Sequence, residues 1–192
     1  MDDGWQRHRP REIPLARLHP QRRHFPDGPA LGKPAREGQE REGRLPNLLK
    51  AQIPNVSLPP QAGNVRVIAG EYSGHQGPAK TFTPINLWYV NLRAGKSAEL
   101  PLPDGHTTTF LVLSGEVRVN GERDAGEGDL AIFARTGDDI TVKAKTDAKL
   151  LVMDGQPIAE PVVGHGPFVM NSRAEIQQAF EEYQLGRTAS LA

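Results

Sequence analysis

From Leu45 onward, short apolar runs recur about every ten residues and are separated by Gly, Asn, Asp and Pro. Val65, Val67 and Ala69 alternate with polar neighbours until Gly70 ends the run. Leu87-Trp88-Tyr89-Val90-Asn91-Leu92 is rich in strand formers and stops at Ala94-Gly95. Phe110-Leu111-Val112-Leu113 passes through Ser114-Gly115 into Val117 and Val119, and Asn120-Gly121 is a pair suited to a tight hairpin. Further runs follow at Leu130 to Ala134, Ile140 to Lys145 and Leu150 to Met153. No helical period interrupts them. Many short strands without βαβ alternation predict an all-β, antiparallel sandwich or barrel.

One helix is predicted, and it comes last. Ser172-Arg173-Ala174-Glu175 reads as a capping box, after which Ile176, Ala179, Phe180 and Tyr183 share one face. Gly186 stands where a left-handed C-terminal residue is wanted. About three turns do not hold alone in water, so the stripe must dock. Ile176, Ala179, Phe180 and Tyr183 are the expected contact with a second copy or a protein partner.

Residues 1–44 differ from this pattern. They hold nine Arg, one Lys and seven acidic residues, with six Pro, five Gly and three His. So little apolar surface cannot offset the entropy of ordering, and the segment reads as a disordered basic tail. Acids are mixed with the arginines and aromatics are sparse, so nucleic acid is not an expected partner. The chain as a whole carries 23 basic and 23 acidic residues. No apolar stretch reaches membrane-helix length and no signal-peptide core leads the chain, so the expected place is the cytoplasm.

The chemistry that residue types allow is narrow. The chain has no Cys, which removes disulfides, thiolate catalysis and Cys-ligated metal sites. It has neither a Gly-x-Ser-x-Gly elbow nor a Gly-Lys-Ser/Thr phosphate loop. Gly126-Glu127-Gly128-Asp129-Leu130-Ala131 formally fits a dinucleotide fingerprint, but a strand is predicted to start there instead of a helix. His75, His106 and His165 each stand beside a Gly in a predicted loop, and none makes a His-x-His pair. Solvated or turn-capping roles are the plain reading. With Glu116 they are the only metal-ligand candidates in this region, and no metal is expected. Asp138-Asp139 reads as a charged turn. Trp88, Tyr89, Phe110 and Phe133 are either core filling or the lining of a barrel mouth that binds an aromatic ligand.

Pro101-Leu102-Pro103-Asp104-Gly105-His106-Thr107, with Val112-Leu113-Ser114-Gly115-Glu116-Val117-Arg118-Val119-Asn120-Gly121, resembles the central signature of the pirin family of cupins. Val65 to Glu71, Gly77-Pro78-Ala79 and Thr83-Pro84 agree with it upstream. Gly128-Asp129-Leu130-Ala131, Glu160-Pro161-Val162-Val163 and Gly166-Pro167-Phe168-Val169-Met170-Asn171 agree downstream. The resemblance runs from about Leu45 to Gly186 and implies a single cupin jelly-roll barrel (residues 45–171) with one C-terminal helix and tail (172–192).

Pirins carry two such barrels, and the resemblance covers only the second. In the family the first barrel holds one iron through three histidines and a glutamate led by His-x-His, and some members are quercetin 2,3-dioxygenases while others act as transcription cofactors. Here the sequence reads His106-Thr107-Thr108, and Ile140 stands where a further His is wanted. No family ligand transfers to this chain, and no cofactor is expected in it. The implied function is a non-catalytic binding or regulatory module; the alternative is an iron-dependent quercetin 2,3-dioxygenase with a truncated catalytic barrel. The change of composition at residue 44 resembles either a divergent natural tail or a start in another reading frame, which the upstream DNA would distinguish.

Overall fold

The computed structural model describes residues 48–185, so the tail expected over residues 1–44 and the cap expected at Gly186 lie outside the described residues. Those residues fall into two compact units that meet between Pro157 and Ile158.

The first unit is all β after one 3₁₀ turn at Lys50–Gln52. Its strands begin with β1 (Asn55–Leu58), β2 (Gly63–Ala69), the short hairpin β3 (Glu71–Tyr72) and β4 (His75–Gln76), and β5 (Ile85–Leu92). They continue with β6 (Ser97–Pro101), β7 (Thr107–Ser114), β8 (Glu116–Val119) and β9 (Arg123–Gly126). β10 (Leu130–Ile132), β11 (Asp139–Ala144) and β12 (Ala148–Gly155) complete the unit. Two antiparallel sheets result, one ordered β1-β2-β5-β12-β7-β10 and the other β6-β11-β8-β9. The predicted runs fall on these strands, although β10 stops at Ile132 and β11 at Ala144, short of the expected Ala134 and Lys145.

Alternation turns one face of each strand inward, and the register lines those positions up. Val65, Val90, Leu150 and Val112 stand side by side across four strands, as do Val67, Trp88, Val152 and Phe110 one row further. From the smaller sheet Leu100, Val117, Val119, Ile140 and Val142 join them, all at most 1% exposed. The predicted hairpin forms: Asn120 and Gly121 both take positive φ, 50° and 73°, between β8 and β9. The register pairs Val119 with Arg123, which makes Asn120-Gly121-Glu122 a three-residue loop.

The second unit contains the hairpin β13 (Val163–His165) and β14 (Phe168–Met170) and the helix α1 (Arg173–Gln184). The capping box is present: Ser172 Oγ accepts from the Glu175 amide at 3.3 Å, and Glu175 Oε2 accepts from the Ser172 amide at 3.1 Å. The same carboxylate accepts from the Asn171 amide at 2.8 Å. The apolar stripe of α1 is divided. Ile176 and Ala179 are buried, Phe180 packs edge-on against Phe168 with ring centres 4.9 Å apart, and Tyr183 is 63% exposed.

Candidate functional site

The inward rows of the larger sheet are apolar until its last one. There Asn86 on β5, Asp154 on β12 and Thr108 on β7 stand in register. Asp154 is the buried centre of the row, with its side chain fully out of solvent. One carboxylate oxygen accepts from Thr108 Oγ1 at 2.7 Å. The other accepts from Asn86 Nδ2 and from His106 Nδ1, both at 2.9 Å. A carboxylate can only accept, so Nδ1 is the protonated ring nitrogen of His106. That imidazole comes from the loop before β7 and is 14% exposed.

The backbone closes over this row. Asn86 Oδ1 accepts from the Glu71 amide at 3.1 Å. The chain reaches that position through Gly70, whose φ of 72° and close approach to Asn86 and to the Ile85 carbonyl leave no room for a Cβ.

Beneath the polar row lies a filled interior. Trp88 and Phe110 occupy the next register positions and are 1% and 0% exposed. Tyr72 meets Trp88 edge-on at 5.1 Å, and Phe133 meets Phe110 at 5.4 Å. The aromatic side chains anticipated as the lining of a mouth therefore do not share one. Trp88, Phe110 and Phe133 are core, whereas Tyr89 alternates to the opposite face of β5. The Trp88 indole N–H has no hydrogen-bond partner among the described residues.

The four metal-ligand candidates stand in different settings. His75 is exposed in β4, with Nδ1 2.9 Å from the Ser73 carbonyl. His106 belongs to the Asp154 row. Glu116, on β8, pairs with Lys145, which also lies 3.2 Å from Asp124. His165, on β13, meets the Phe180 ring edge-on at 5.5 Å. Among the described residues no three His, Asp or Glu side chains form a group able to hold a metal ion. An iron centre of the kind the resemblance implies needs several converging imidazole and carboxylate lone pairs. The Asp154 row offers one imidazole nitrogen that donates and one carboxylate whose two oxygens already accept three hydrogen bonds. This donor set does not fit such a centre.

Next to Glu116, Arg118 grips Asp124 with two hydrogen bonds of 2.8 and 2.9 Å. The guanidinium, helped by Lys145, lowers the Asp124 carboxyl to about 2. The same contact raises Arg118, and Glu116 with Asp124 raises Lys145.

Asn86, Thr108 and Asp154 escape a reading by motifs because they are 46 and 68 residues apart and none stands beside another polar ligand type. The signal that could have found them is phase. Asp154 continues the inward positions Leu150 and Val152, and Thr108 precedes Phe110 and Val112 on the same face.

With this geometry in place, comparison with known proteins is informative. Residues 87–189 match the family described as the Pirin C-terminal cupin domain. A Pseudomonas aeruginosa protein named "Putative quercetin 2,3-dioxygenase" is 47% identical over 144 residues, which cover 75% of this chain and 50% of that protein. A Caulobacter vibrioides "Pirin-like protein" is 37% identical over 155 residues, covering 74% of this chain and 55% of that one. Among solved structures, quercetin 2,3-dioxygenase from Acinetobacter baumannii superposes with a TM-score of 0.70 at 40% identity, over 76% of this chain and 50% of that one. The chain thus spans about half the length of the curated relatives it matches.

Proposed function

We propose, from the premise that this chain belongs to the pirin family through its C-terminal cupin domain, that it is a non-catalytic module acting by binding. The observation that supports this reading is the closed polar row. Asp154 accepts from Asn86, Thr108 and His106, and Asn86 in turn accepts from the Glu71 amide, above an interior that Trp88 and Phe110 fill. A site built for turnover presents unsatisfied groups to an open cavity. Here both conditions are reversed, so the row acts as a plug that fixes three strands and the His106 loop.

The second reading takes its support from the relatives' names: an iron-dependent quercetin 2,3-dioxygenase of the pirin family. The two readings separate on purified protein by elemental mass spectrometry run beside a quercetin turnover assay. The module reading expects metal below roughly a tenth of an equivalent and no turnover. Near-stoichiometric iron that is lost in His106→Ala or His165→Ala would overturn it.

A further inference from the structure

We propose that the outer face of the larger sheet carries a binding site for a uronate-bearing oligosaccharide. This site is separate from the plug and independent of it. Directly outside the core, Ser57, Asn64, Asn91, Lys149 and Ser114 line up in register across β1, β2, β5, β12 and β7. All five are polar and all face away from the core. They line a groove of about 1000 Å³.

The row is wired as a ladder of carboxamides. Asn91 Nδ2 donates to Asn64 Oδ1 at 3.3 Å, and Asn64 Nδ2 donates to Asn55 Oδ1 at 2.5 Å. Each amide in such a ladder has further N–H and lone-pair capacity beyond these bonds. A sugar ring presents hydroxyls that both donate and accept, and this surface complements it. Neighbouring strands are about 4.8 Å apart, similar to the length of one sugar ring, so successive rings can meet successive amides.

Charge narrows the class. Lys149 stands across from Asn91, and Arg93, just after β5, also lines the groove. Neither side chain has an ion pair or hydrogen bond among the described residues, and both are exposed. The acid bordering the groove, Asp147, accepts the Ala94 amide through Oδ1 at 2.8 Å. With Arg93 and Lys149 against Asp147, the charged lining of the groove keeps an excess of positive charge, which favours a ring that carries a carboxylate. Salt weakens this part of the attraction, because the cations lie in solvent.

Isothermal titration of the full chain with trigalacturonate tests the proposal, with maltotriose and acetate as neutral and simple-anion controls. The expected dissociation constant for trigalacturonate is about 1 mM or tighter, with both controls at least about tenfold weaker. Lys149→Glu should weaken trigalacturonate binding by about tenfold or more while leaving the thermal unfolding midpoint near the native value. Arg93→Ala provides the same measurement should the first variant fold poorly. No trigalacturonate binding at roughly 10 mM, equal binding of maltotriose or acetate, or folded variants that bind as the native chain does would overturn the assignment.

Discussion

Three donors converge on the two oxygens of Asp154, and each loses that hydrogen bond when the carboxylate is removed. A buried polar group left unsatisfied costs its full desolvation penalty, and the penalty is larger around a charged site. Asp154→Ala should therefore lower unfolding stability by about 3 kcal/mol, measured by urea denaturation. Thr108→Val removes one hydrogen bond and keeps the shape, so about 1 kcal/mol is expected. An Asp154→Ala loss no larger than that of Thr108→Val would show that the row does not act as a connected plug. The comparison is informative because both residues lie on the same inward face, at adjacent register positions.

At the scale of elements, the hairpin β8–β9 couples sequence pattern to charge. Its turn comes from Asn120-Gly121, and the paired strands hold Arg118 opposite Asp124. The folded-state carboxyl of Asp124 lies at about 2, below its ordinary value of 3.8. A depressed carboxylate adds stability that is present above the ordinary value and lost as pH falls through the folded one. The native chain should therefore be more stable than Asp124→Asn at pH 6, with the difference shrinking between about pH 4 and pH 2 and in high salt. The pair is 36% to 47% exposed, so the effect is small, and a pH-independent difference would refute its electrostatic origin.

The strands that alternation marks, such as Val65 to Ala69 and Leu87 to Leu92, were legible because a long apolar row needs many partners. β6 offers only Ala98 and Leu100 and was not legible, and β9 has no large apolar residue at all. The His106 loop was legible as a motif, but its partner Asp154 was not. That contact depends on the register of β12 against β7, which chain spacing does not encode.

At the scale of the whole molecule, the chain matches about half of each longer relative and carries exposed apolar residues in its second unit. The expected contact face of α1 is Ile176, Ala179, Phe180 and Tyr183. Burial of Ile176 and Ala179, together with the edge-on packing of Phe180 against Phe168, leaves Tyr183, and Leu185 just after the helix, as outward apolar residues, 63% and 64% exposed. Val162, just before β13, is 69% exposed. Exposed apolar groups favour association, and a second copy is always available as the partner. Light scattering after size exclusion at micromolar concentration should give a dimer mass for the native chain, and Tyr183→Asp should shift it toward monomer. A native chain that elutes as a clean monomer would sink the dimer, whereas a dimer indifferent to Tyr183→Asp would move the contact away from α1. Tyr183 is mostly exposed and outside the core of the first unit, and its ring meets Phe168 edge-on at 6.0 Å, so the thermal unfolding midpoint of the variant is measured beside its mass.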